Sequence, residues 1–267
     1  MQPLTSFPLA ARRAIRGVLT DIDDTLSSDG RLTAAAYGAL EALQAAGFIV
    51  IPITGRPAGW CDMIARFWPV DAVVGENGAF YFRYDRAGRK LQQRFLDDAP
   101  TRAEKRSRLE ALGRQILAAV PGAALASDQR YRESDLAIDY CEDVMRLDAP
   151  AIDRILALFH EAGATAKLSS IHVNGWFGDY DKLGMTQRLL REVFATDLAA
   201  ERERFVFAGD SPNDQPMFAF FPHAVGVANV SDFADRLIQP PRYVTRGRGG
   251  EGFAELAQAL IAARGAR

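Results

Sequence analysis

Three carboxylates stand within four residues, at Asp21, Asp23 and Asp24 of GVLTDIDDTLSSDG. The run before them is apolar, so the acids arrive at the end of a buried strand. Like charges this close repel, and burial makes each costlier. A bound cation, or a reaction that absorbs charge, relieves both. Strict alternation puts residues i and i+2 on one face, and a loop leaving the strand aims Asp21 and Asp23 at one point. Glycosidases also pair carboxylates, and there the separation decides the chemistry. A solvated Asp/Ser turn explains the stretch with no chemistry at all.

Two further stretches repeat the design. ITGRP, residues 53–57, ends an apolar strand in a hydroxyl, Thr54, then Gly55 and Arg56. AGDSPNDQPM, residues 208–217, delivers Asp210, with Ser211, Asn213 and Asp214 behind it. Hard carboxylate oxygens suit Mg²⁺. Lys182, in DKLGMTQ, is either a surface lysine at a helix start or a point charge for a carboxylate or phosphate. Mg²⁺, a lysine and backbone N–H groups together clamp a phosphoryl group. GRGGEGF, residues 247–253, is glycine-rich but lacks the rest of a phosphate-binding loop. With three histidines and two separated cysteines, a zinc site is not expected.

These residues need elements to hold them. Short apolar runs alternate with helical stretches: GVLTD, then a helix from Leu32 closed by Gly47, then FIVIPIT, GWCDMIARF and VDAVVG. That alternation predicts an α/β fold with a parallel sheet, whose strand ends carry the ligand. The rhythm changes after residue 83. Two strands around a turn near Ala87–Gly88, a helix over 98–120, a strand at SDLAIDYC, a helix opened by Pro150 and a return to strand at ATAKLSSIHVNGWFG predict an α+β insert. The parallel rhythm resumes at DKLGMTQRLLREVF and RFVFAGD. The expected division is core over residues 1–83, insert over 84–176 and core again over 177–267. A net charge of −2 over 267 residues speaks against a dedicated nucleic-acid or anionic-membrane surface. The start of the chain shows no secretory pattern and no run is long enough to span a membrane, so a cytoplasmic protein is expected.

The ordered set DIDDT, TGR, Lys182 and GDSPND, with GENGA at residues 75–79, resembles the haloacid dehalogenase-like phosphohydrolases. More narrowly it is similar to the type IIB branch, whose large α+β cap is inserted into a Rossmann-like core. That branch includes sucrose-phosphate phosphatase, phosphomannomutase and the Cof-like sugar phosphatases. The resemblance implies a Mg²⁺-dependent phosphatase acting on a small phosphate ester, a sugar phosphate foremost; a phosphomutase or a non-catalytic binder are the alternatives. It implies Asp21 as nucleophile and Asp23 as acid and base. Thr25 would support the loop. Thr54 and Gly55 would receive the phosphoryl oxygens, and Lys182 would bridge nucleophile and phosphate. Asp21, the Asp23 carbonyl, Asp210 and Asp214 would form the Mg²⁺ site, with Asn213 holding the loop or Lys182. On the cap, Arg130, Arg132, Glu133 and His172 are the candidate specificity residues. Relatives often carry Gly or Asn where this chain has Asp24, which is expected to face away from phosphorus or to brace the insert.

Overall fold

In the computed structural model, which describes residues 1–265, the chain begins with β1 (Gln2–Pro3), α1 (Leu9–Ala14) and β2 (Gly17–Thr20). A small hairpin, β3 (Ser27–Ser28) and β4 (Arg31–Leu32), leads to α2 (Ala34–Ala45), β5 (Ile49–Pro52), α3 (Ala58–Phe67) and β6 (Val73–Gly75). Next come β7 (Phe80–Asp85), β8 (Lys90–Phe95), α4 (Ala99–Ala119), β9 (Ala124–Leu125), β10 (Leu136–Asp139), α5 (Ala149–Glu161), β11 (Thr165–Leu168) and β12 (His172–Trp176). The chain closes with α6 (Lys182–Phe194), α7 (Leu198–Glu201), β13 (Phe205–Gly209), α8 (Gln215–Phe220), β14 (Val225–Gly226), β15 (Tyr243–Val244) and α9 (Gly249–Gly265).

The main sheet is parallel, in the order β1-β15-β14-β13-β2-β5. Its central strands are buried on both faces, and alternation sends their side chains into two separate cores. Val18, Val50 and Val206 join one core with Leu40 of α2 and Leu260 of α9. Leu19, Ile51 and Phe207 join the other with Leu189 of α6 and Met217 of α8. Strand β1 has no counterpart in the sequence reading, because two residues carry no periodicity. It pairs with β15 at the sheet edge.

The β7–β8 hairpin turns at residues 86–89 and pairs antiparallel with β6, which a single bridge from Val74 to Ile53 ties to the main sheet. A four-stranded antiparallel sheet follows, in the order β11-β12-β10-β9. Leu136, Ile138 and Val173 point to one side, into a third core with α4 and α5. The alternate residues Asp139, His172 and Asn174 therefore turn to the opposite face, toward the strand ends of the main sheet. We place the cap on this sheet and its two helices.

Candidate active site

Each chemistry-bearing side chain stands at the carboxyl end of a strand or at a helix start. Asp21 follows β2, and its N–H donates to Ala208 O at 2.9 Å, so the sheet fixes the turn. Asp210 follows β13. Lys182 is the first residue of α6, whose N-cap Asp181 accepts from Gly184 N–H at 2.7 Å. The GENGA turn sets where that helix begins. Gly78 has φ +109°, and a Cβ there would stand 2.0 Å from Asp181 O, so glycine lets the turn lie against the backbone that carries Lys182.

Lys182 is 2% exposed, and its Nζ donates to Asp21 Oδ1 at 2.7 Å and to Asp214 Oδ1 at 2.6 Å. Burial works against the ammonium, but Asp21 and Asp214 outweigh it and hold its pKa above the usual lysine value. The other oxygen of Asp214 accepts from Asp210 N–H at 3.1 Å and Ser211 N–H at 3.4 Å. A Cβ at Gly209 would meet that oxygen at 2.3 Å, so the glycine makes room for the carboxylate under the strand end. Asp210 accepts from Thr25 Oγ1 and from Asn229 Nδ2, each at 3.3 Å. Asn213 Oδ1 accepts from Ser211 Oγ at 2.9 Å, within the loop.

Asp21, Asp210 and Asp214 bring oxygens within 4.8 Å of one another, all buried. Burial raises the pKa of Asp21 and of Asp210 well above the usual carboxylate range; neighbouring carboxylates push the same way, and Lys182 only partly offsets them. Three hard oxygen donors with this surplus of buried negative charge fit a divalent cation of the Mg²⁺ kind.

The Asp23 side chain turns elsewhere. Its oxygens accept from Arg56 Nε at 2.9 and 3.1 Å. Arg56 also reaches the second sheet, donating to Glu142 at 2.7 Å and Asp128 at 3.3 Å, and its guanidinium lies over Trp60. Arg132 returns the contact, donating to Gly55 O at 2.8 Å while paired with Asp128 and Asp135. Glu76, fully buried at φ +42°, accepts the N–H groups of Ala58, Glu133, Ser134 and Asp135. Its pKa is pushed up to about 8, by burial first and then by Asp135.

Thr54 is buried, and its hydroxyl accepts from Arg56 N–H at 3.0 Å, shaping the turn that presents Gly55. Gly55, Asp21, Asp23 and Asn213 face His172, Asn174, Arg132 and Ser170 across a cavity of about 10 Å³. Of the four cap candidates, Arg132 and His172 line this cavity, with His172 Nε2 2.8 Å from Glu142. Arg130 donates to Tyr131 Oη, and the Glu133 carboxylate pairs with Arg106, both away from the cavity. Trp176 stacks on Tyr180 inside the protein, so it packs rather than offers a face. Arg56 stood in the TGR motif without a role. Ser170 and Asn229 carried no signal of spacing or type, and Glu76 stood in the GENGA motif without a role of its own.

Residues 18–104 match the family model described as haloacid dehalogenase-like hydrolase. The matched stretch carries Asp21, Asp23, Thr54 and Glu76, and the fold of the chain is similar to that of the solved structures that follow. The C-terminal domain of a trehalose-6-phosphate phosphatase from C. albicans is similar over 98% of both chains, at 13% identity and TM-score 0.69. The sucrose-phosphatase of Synechocystis sp., solved with sucrose and phosphate, is similar over 93% of this chain and 98% of its own, at 17% identity and TM-score 0.62. A protein of Thermoplasma acidophilum is similar over 92% and 98%, at 19% identity and TM-score 0.67. These likenesses concern the fold. Comparison with curated proteins gave no match.

Proposed function

We propose that this protein hydrolyses a phosphate monoester of a small metabolite, a sugar phosphate foremost, through a phosphoryl group carried on Asp21. The carrying observation is the buried triad of Asp21, Lys182 and Asp214 beside Asp210, at the carboxyl ends of the central strands of the parallel sheet. Two structurally similar proteins bear the names trehalose-6-phosphate phosphatase and sucrose-phosphatase, which supports the substrate class.

In this reading the free oxygen of Asp21 attacks phosphorus, and Lys182 holds its other oxygen in place. Mg²⁺ bound at Asp21 and Asp210 would offset the charge of two anions meeting there. Asp23 protonates the departing ester oxygen, then takes a proton from the water that cleaves the aspartyl phosphate. Both Asp23 oxygens engage Arg56, so one must be freed first. The cavity of about 10 Å³ has room for about one water. The second sheet must therefore lift to admit a phosphoryl group, and lifting draws Arg56 between Asp23 and its cap partners Glu142 and Asp128.

The test is phosphate release from a panel of sugar, polyol and aryl phosphates. We expect turnover of several esters with Mg²⁺, loss on chelation and recovery on re-addition. No release from any ester, or full activity in a verified metal-free sample, would overturn the proposal.

A further inference from the structure

Helix α3 is apolar on two faces. Ala58, Cys61, Ile64 and Ala65 pack into the core. Trp60, Met63 and Phe67 point outward, 37%, 43% and 73% exposed. A surface helix ordinarily gives its outer face to charge. The spacing of these three, i, i+3 and i+7, makes one stripe along the helix, as in a helix–helix seam.

The stripe runs on at both ends. Beyond Trp60, the exposed ring of Tyr131 rests on Gly59, where a Cβ would stand 3.0 Å from that of the tyrosine. Beyond Phe67, exposed Tyr37 of α2 donates to Phe67 O at 3.1 Å. Large side chains of this kind carry about 150–250 Å² each, so at these exposures the patch offers on the order of 400 Å². A standard interface takes about 800 Å² from each partner, and a little over half of that is apolar. The patch therefore has the size of the apolar part of such an interface.

Its charges fit a second copy of the chain. The charged residues of α3 are Asp62 and Arg66, which flank Met63 and pair with each other at 2.6 Å on the surface. Two copies of α3 crossing antiparallel about a two-fold axis beside Met63 set Trp60 of each opposite Phe67 of the other. The same crossing brings Asp62 of each within about one residue of Arg66 of the other, one helical rise of about 1.5 Å. The ion pair within each helix is then matched by two across the axis. One acid and one base also leave the face without net charge, so an anionic surface finds no hold there.

We propose that the outer face of α3 is the two-fold interface of a homodimer, with Trp60, Met63 and Phe67 as its apolar centre and Asp62 and Arg66 paired across its rim. The dimer would also cover the junction of core and second sheet beside Arg56, whose guanidinium lies 4.3 Å from the centre of the Trp60 ring.

The test is sedimentation velocity over a concentration series, and it does not depend on activity. Wild type should pass from monomer to dimer as concentration rises. Phe67→Glu should weaken the dimer by about thirtyfold or more. Met63→Lys takes its place should circular dichroism show that the glutamate variant is unfolded. Asp62→Arg alone and Arg66→Asp alone should each weaken association by about tenfold or more, since like charges then meet. An equimolar mixture of those two variants should associate more tightly than either alone, because only the mixed pair restores opposite charges across the axis. A wild type that stays monomeric would overturn the proposal. So would a dimer that survives the substitution at the centre of the stripe, or a mixture no tighter than its components.

Discussion

Arg56 is the residue at which Asp23 and the second sheet meet. It binds both oxygens of Asp23 and reaches Glu142 and Asp128 across the seam. Asp23→Asn should slow alkyl esters by about 10²–10⁴-fold, since their leaving oxygen needs a proton. The first step with p-nitrophenyl phosphate should suffer much less. Rapid-quench kinetics with both esters decides; equal penalties would assign Asp23 to shaping the loop. Glu142 offers a pH test. Burial pushes its carboxyl up, but His172 and Arg56 outweigh this and lower it from 4.5 to about 2. A lowered folded-state pKa gives stability that is present above about 4.5 and lost as pH falls toward about 2. Melting curves should therefore show wild type above Glu142→Gln at pH 7, with the gap narrowing below about pH 4.5 and closing by about pH 2. A constant gap would contradict the pairing. At this scale the sequence shows which acids end strands, because an Asp after an apolar run is visible by type. It hides Arg56's partners, which lie 72 and 86 positions away.

The elements place these residues through close backbone approaches. Gly78 lies against Asp181, and Gly209 against Asp214. Gly78→Ala adds a Cβ 2.0 Å from Asp181 O at a φ that costs about 1–3 kcal/mol for other residues. It should lower the melting temperature and also displace Lys182, reducing kcat by about tenfold or more in the fraction that remains folded. Unchanged kcat and stability would show that α6 is not set by this turn. The central strands were legible because β2 and β13 are short continuous apolar runs, which fits strands covered on both faces. The pairing of β7 with β6 was not legible. In sequence VDAVVG reads as the last strand of the parallel alternation and β7–β8 as a separate hairpin, and only hydrogen bonds reveal that β6 links the hairpin to the main sheet. Glu76 was hidden for a related reason. It binds main-chain N–H groups of residues 133–135, whose side chains say nothing of the contact.

For the molecule as a whole, the buried carboxylates Asp21 and Asp210 are a cost that folding carries toward a function. A cation that binds only the folded state adds about 2.7 kcal/mol at a hundred times its Kd. Mg²⁺ should raise the melting temperature of wild type, and Asp210→Asn should abolish most of that rise; an equal rise in both would move the metal elsewhere. Among the described residues no helix is long and apolar enough to cross a membrane. The strand–helix alternation that predicts the parallel core was visible in sequence, but the seam where the second sheet meets the core was not. It is built from Arg56, Arg132 and Glu76, charged residues that a sequence reading assigns to the surface. The central claim is that Asp21 carries the phosphoryl group. Its most direct test is acid quench of the enzyme during turnover of p-nitrophenyl phosphate with Mg²⁺, followed by peptide mass spectrometry. The account predicts one phosphoryl group on the peptide bearing Asp21, labile to hydroxylamine and absent from Asp21→Asn. An adduct on another residue, or an Asp21→Asn enzyme keeping more than about a tenth of wild-type kcat, would contradict it.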